Sequence, residues 1–338
     1  MRVQRLIRQV SNGAATLLFC PMIMAAPAIA DTAPFDLDET VKAVVKVTAE
    51  VPADARTAAF LGTEREGNGI VIDDNGLVLT IGYLILEAMS ANVANAAGDM
   101  VPAEIVAYDY DTGFGLLRAL APLDIDPLRL GSADELNERD PVLVIGNGGQ
   151  DATIGAFVVS RREFAGYWEY LLDSAIFTSP PHPNWGGAAL IGPNGRLLGV
   201  GSLLVRDAMP PPDLIPGNMF VPIDLLKPIL GELLELGRSG GKPRPWLGMF
   251  SAESLGRVVV TSVARDGPAD SAGIESGDVV VSVSGENIDD MSRLYRKIWS
   301  LGEAGVDVPI TILRGSQALD LVVRSGDRYD YLKLRQTY

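Results

Sequence analysis

The stretch Gly67-Asn68-Gly69-Ile70-Val71-Ile72-Asp73-Asp74-Asn75-Gly76-Leu77-Val78-Leu79-Thr80 reads as a β-hairpin. Apolar, β-branched runs flank Asn75-Gly76, a pair that takes the positive φ a two-residue hairpin turn asks of both central positions. The device recurs: residues 188–191 and 197–200 flank Pro193-Asn194-Gly195. Two β-rich halves on one plan suggest two barrels. Upstream, residues 41–49 read as another strand. Between the halves, Val142-Leu143-Val144-Ile145 before Gly146-Asn147-Gly148-Gly149 reads as a buried strand entering a glycine-rich loop.

Downstream the composition changes. Pro210-Pro211-Pro212 is a surface loop. Leu226, Ile229, Leu230, Leu233 and Leu234 make a stripe that predicts a helix over 225–236, with Pro228 in its first turn. Gly237-Arg238-Ser239-Gly240-Gly241-Lys242-Pro243 is a linker by composition. The expected organisation is a signal peptide over 1–30, a first domain over 31–236, a linker over 237–245 and a second domain over 246–338.

The N-terminal segment carries Arg2, Arg5 and Arg8 and then an apolar run broken by Pro21 and Pro27, ending in Ala28-Ile29-Ala30. That pattern predicts secretion with cleavage after Ala30, in preference to a retained anchor. Cys20 is the single cysteine, so the processed chain has no disulfide and no thiolate metal site. The whole chain has 338 residues, 47% hydrophobic and 21% charged, with net charge −15; loss of the three arginines leaves about −18. Such a surface disfavours nucleic acid and anionic lipid and weakly attracts basic peptides.

Residues 246–323 resemble a PDZ domain of the kind found in the HtrA/Deg family. The resemblance rests on Trp246-Leu247-Gly248-Met249, a strand over 257–263, Pro268-Ala269-Asp270-Ser271-Ala272-Gly273-Ile274 and Gly277-Asp278-Val279-Val280. Met291, Leu294, Tyr295, Ile298 and Leu301 at helical spacing complete it. In such a module, backbone N–H groups around Leu247, Gly248 and Met249 hold a C-terminal carboxylate while the peptide adds a strand to the sheet. The resemblance therefore implies peptide binding by Trp246, Leu247, Gly248, Met249 and Ile298. Ile298 is equally readable as core.

Residues 41–231 resemble the trypsin-like domain of the same family. The shared framework includes the hairpin above, Leu116-Leu117-Arg118, Leu130-Gly131-Ser132-Ala133, Ile145-Gly146-Asn147, Gly186-Gly187 and Leu198-Gly199-Val200. The implied fold is mainly β: a trypsin-like double six-stranded β-barrel followed by a PDZ domain, a β-sandwich with helices. That chemistry needs a serine, a histidine and an aspartate. The resemblance puts Tyr83 at the histidine position, Gly113 at the aspartate position and Trp185 at the serine position. A phenol titrating near 10 is no general base at neutral pH. Pro183, two before Trp185, has no N–H for the oxyanion hole. The expected catalytic set is empty, and no metal or cofactor is expected.

His182 is the sole histidine and reads as part of a rebuilt loop. Asp111-Thr112-Gly113 matches the aspartic-protease triplet, but that mechanism shares a proton between two carboxylates, and one triplet is more simply a turn. Asp109 with Asp111 makes only a weak cation-site candidate. Trp185 reads as filling the vacated pocket, or as an anchor for a partner.

The expected function is that of a secreted or periplasmic pseudoprotease binding peptide or protein C-termini, an adaptor, chaperone-like or regulatory protein in envelope quality control. Its partners would include misfolded envelope proteins or an active HtrA-like protease, with a homotrimer as the family's usual assembly and Phe35 the one aromatic contact candidate in residues 31–40. The alternatives are a working serine endopeptidase and a regulatory subunit of an active relative.

Overall fold

A computed structural model describes residues 35–134 and 136–334. The secretion segment with Ala30 and Cys20 lies outside them. A short helix, α1 (Leu37–Lys42), leads into the first barrel, formed by β1 (Val44–Glu50), β2 (Glu64–Val71), β3 (Leu77–Ile81), β4 (Ser90–Ala94), β5 (Met100–Tyr108) and β6 (Phe114–Ala119). Its closed order is β1-β2-β3-β6-β5-β4. The second barrel uses β7 (Pro141–Ile145), β8 (Thr153–Gly166), β9 (Tyr170–Ser179), β10 (Ala189–Ile191), β11 (Leu197–Met209) and β12 (Ile215–Pro222). Around the ring these run β7-β8-β9-β12-β11-β10, the first barrel's order repeated. Closure leaves neither barrel with an open edge. Val45, Val47, Val78 and Leu117 fill the first, and Val144, Val158, Ile176 and Leu190 line the second.

The third layer is a sheet ordered β13-β14-β15-β17-β18, with β16 paired to β15. Its strands are β13 (Met249–Ser254), β14 (Arg257–Val263), β15 (Val279–Val283), β16 (Glu286–Asn287), β17 (Asp307–Arg314) and β18 (Gln317–Arg324). The other helices are α2 (Ala58–Leu61), α3 (Leu230–Leu236), α4 (Pro268–Ser271), α5 (Met291–Trp299) and α6 (Arg328–Tyr331). Asp290 caps α5 through Arg293 N–H at 2.7 Å. Leu294, Tyr295 and Ile298 turn its apolar face onto the sheet's core.

Three local readings are corrected. Val41 and Lys42 belong to α1, because Asp36 caps that helix by accepting from Asp38 N–H at 2.9 Å, so the strand starts at Val44. The two Asn-Gly turns use one positive φ each, at Gly76 (72°) and Gly195 (72°). In the first, the Asp73 carboxylate accepts from Asn75 and Leu77 N–H at 2.9 and 2.7 Å, a side-chain turn that leaves only Gly76 left-handed. Finally, α3 begins at Leu230: residues 226–229 form turns after the 3₁₀ segment Ile223–Leu225. Leu226 and Leu233 are buried while Leu234 is exposed, so the leucine stripe is only half used.

The two barrels and the PDZ sheet form one compact unit. The glycine-rich segment after α3 is pinned to its surroundings. Ser239 Oγ donates to Asp109, Gly240 N–H to Glu232, and Arg244 pairs with Asp111. Phe35 packs across the second hairpin turn, where a Cβ on Gly195 would lie 2.5 Å from its ring.

Candidate functional site

Strand β3 ends in a 3₁₀ turn, Gly82–Leu84, that presents Tyr83. Gly82 N–H donates to Gly113 O at 2.7 Å, which brings the two turns side by side. A Cβ on Gly82 would strike the Tyr108 ring at 2.3 Å, so the approach requires glycine. Gly113 closes a turn at φ 82°, with its N–H donating to Asp109 O at 2.8 Å. The hydroxyl of Tyr170 donates to Thr112 O at 2.6 Å and occupies the space beside Gly113.

Trp185 comes from the loop joining β9 and β10. Buried Asn68 locks that loop: its Nδ2 donates to Asn184 O and Gly186 O, both at 2.8 Å, and its Oδ1 accepts from Asn147 N–H at 2.7 Å. The Tyr83 phenol, beside the Trp185 side chain, donates to Ser202 O at 2.9 Å. Burial pushes the Tyr83 hydroxyl well above the ordinary tyrosine range. The structure thus brings Tyr83, Gly113 and Trp185 to the wall of one cavity of about 860 Å³. Pro183 is exposed beside it.

His182 is buried and fully engaged. Its Nδ1 accepts from Asn184 N–H at 3.0 Å, leaving Nε2–H to donate to Ala152 O at 3.0 Å. This imidazole braces the Trp185 loop. Nor do Asp109 and Asp111 form a catalytic pair. Asp109 accepts from Thr112 N–H, Thr112 Oγ and Ser239 Oγ, and Asp111 pairs with Arg244 at 3.2 Å. Burial pushes the Asp111 carboxyl up to about 6. Among the described residues, no group of three or more His, Cys, Asp or Glu side chains is placed to hold a metal ion.

The opposite wall of the cavity belongs to the PDZ domain. Trp246, Gly248, Met249 and Phe250 line it, and the Trp246 ring lies 4.6 Å from that of Tyr331. Leu247 and Ile298 instead sit in the PDZ core, both 0% exposed. Gly248 takes φ 75°, a conformation that suits glycine and turns the adjacent N–H groups to one side. Leu247 N–H and Met249 N–H donate at 3.0 and 2.9 Å to a single carboxylate, Glu169, from the hairpin between β8 and β9.

Sequence reasoning missed Glu169, together with Tyr167, Tyr170 and Arg328, which help to form this junction. One signal was readable. Tyr167-Trp168-Glu169 joins the paired residues Gly166 and Tyr170 as a three-residue hairpin loop, whose last position favours glycine or asparagine. A glutamate at that position breaks the local rule.

Family models match here in two blocks: a trypsin-like peptidase domain over residues 67–200 and a PDZ domain over 238–324. The chain is 29% identical over 304 residues to the chloroplastic Protease Do-like 1 of Arabidopsis thaliana, covering 82% of this chain and 67% of that protein. It is 25% identical over 276 residues to a probable periplasmic DegP-like serine endoprotease of Chlamydia trachomatis, covering 76% of this chain. It spans only 53% of that relative's length. A structure of the HtrA-type protease AlgW with a decapeptide superposes with a TM-score of 0.51 at 20% identity, over 87% of this chain and 99% of that one. The chain therefore carries a trypsin-like peptidase domain followed by a PDZ domain, the organisation of the HtrA-type proteases to which it is similar.

Proposed function

We propose that this protein recognises peptide or protein C-termini through its PDZ domain and does not cleave them. It would act as an adaptor, chaperone-like or regulatory member of the family in the bacterial periplasm. The observation that carries this reading is the state of Tyr83. At the place the family resemblance gives to the general base stands a half-buried phenol, bonded to Ser202 O beside Trp185, with its ionisation suppressed by desolvation. Gly113 offers no carboxylate, Trp185 no nucleophile and Pro183 no oxyanion donor. The PDZ loop supports the binding half of the proposal, because its N–H groups converge on a carboxylate. The periplasmic location is supported by the relative described as periplasmic and by the basic-apolar N-terminal sequence.

The test is an array of C-terminal peptides probed with the full chain, beside fluorophosphonate labelling and casein digestion. Binding to free-acid but not amidated peptides, with no labelling and no cleavage, is the expected result. Because the relatives are named as proteases, the competing reading is a working endopeptidase. Stoichiometric fluorophosphonate labelling would establish it in place of ours. Co-purification with an active protease of the family would instead favour a regulatory subunit.

A further inference from the structure

The carboxylate-binding loop already holds a carboxylate from the same chain. Glu169 adopts φ 56° and is 6% exposed. A charged, long side chain therefore sits where the turn favours glycine and where burial disfavours charge. The Leu247 and Met249 N–H groups offset both penalties by bonding its two oxygens. Burial still acts first, raising the carboxyl's pKa against the hydrogen bonds from this loop and the nearby charge of Arg328.

The rest of the segment follows the path of a bound peptide. A peptide adding antiparallel to β13, with its terminal carboxylate in the loop, bonds the strand at every second residue. Ser251, two residues after Met249, donates its N–H at 3.0 Å to the carbonyl of Tyr167, two residues before Glu169. From the helix side, Tyr295 Oη of α5 donates to Gly166 O at 2.7 Å. Leu171 and Ala165 pack against the PDZ core, and Arg296 of α5 pairs with Glu163 and Asp173 on the two arms of the hairpin.

The geometry points to the β8–β9 hairpin as the resident ligand of the PDZ groove, with Glu169 standing in for a terminal carboxylate, so that a C-terminal peptide binds by displacing it. This rests on the reading of the groove as a C-terminus site. A tethered ligand acts at an effective concentration on the order of millimolar. The apparent affinity for a free peptide falls in proportion to the fraction of molecules whose groove is open. Tyr170, at the base of the hairpin, also lines the cavity that holds Tyr83 and Trp185, so displacement reaches the barrel side too.

The experiment compares the full-length wild type with Glu169→Gly, which suits the turn and removes the carboxylate, and with Glu169→Gln. The probe is a decapeptide library with randomised last four residues, presented with free and with amidated C-termini. Amide hydrogen exchange over residues 247–251 is measured without peptide. Glu169→Gly should bind the free-acid library at least tenfold more tightly than wild type, with Glu169→Gln between them, and should exchange faster over 247–251. Equal affinities of wild type and Glu169→Gly would overturn the displacement, and unchanged exchange over 247–251 would overturn the internal contact itself. Faster exchange in Glu169→Gly with no library binding by any variant would uphold the internal contact and defeat the C-terminus reading of the groove.

Discussion

Restoring the protease machinery one group at a time measures how far this site lies from catalysis. The series starts with Tyr83→His, Gly113→Asp and Trp185→Ser together, then adds Pro183→Gly. Loss of a catalytic triad costs on the order of 10⁶ in rate, with a residual of about 10³ to 10⁴ over water left by binding and the oxyanion hole. One missing oxyanion donor removes a further ~10² to 10³, about 2.7–4 kcal/mol, so the wild type should fall near the background. The triple replacement should recover most of the triad's share but remain slow because Pro183 still lacks its N–H. Adding Pro183→Gly should then raise the rate about a hundredfold. The site sets its own penalty. Gly113 lies at φ 82°, which costs a non-glycine residue about 1–2 kcal/mol. A Cβ at Gly113 would also lie 3.2 Å from the Tyr170 hydroxyl. Fluorophosphonate labelling rates read the series, with circular dichroism as a check on folding. Labelling of the wild type as fast as the fourfold variant would refute the reasoning about lost chemistry. A folded fourfold variant that never reacts would refute the alignment of Tyr83, Gly113 and Trp185 with the triad.

Tyr83→Phe removes the bond to Ser202 O and leaves that carbonyl without its partner, and should lower stability by about 1–3 kcal/mol in urea unfolding. Gly187→Ala places a Cβ 1.9 Å from Asn68 O at a residue with φ 75°, and should cost more than about 3 kcal/mol by the same assay. The Asp111 carboxyl is raised to about 6, chiefly by burial, with Arg244 opposing and Asp109 assisting. A pKa raised on folding means that the folded chain holds the proton more tightly, so this contribution is full below the free aspartate range and is lost as pH rises through about 6. The thermal midpoint should therefore fall between about pH 4 and pH 6 more steeply in the wild type than in Asp111→Asn.

What the sequence made legible follows the range of the interactions. The hairpins at Asn75-Gly76 and Asn194-Gly195 are local events, set by turn chemistry within a few residues, and they marked both barrels. The strand Arg257–Val263 and the helix Met291–Trp299 were likewise readable from period and composition. The register between framework motifs carried Tyr83, Gly113 and Trp185 to one cavity, although no pattern of spacing alone brings residues so distant in sequence together. Local signals failed where a competing cap or partner intervened, as at Val41, taken into a helix capped by Asp36.

Glu169 defines the harder limit. Its partners Leu247 and Met249 lie 78 and 80 residues away, and neither hydrophobic period nor turn composition encodes that distance. What the sequence does hold is a contradiction: a glutamate at the position of a hairpin loop that favours glycine. A residue that is unfavourable by backbone conformation and by burial persists only where some other contact over-determines it. Two N–H groups on one carboxylate supply that contact. Broken local rules in such a chain therefore point to where its domains meet.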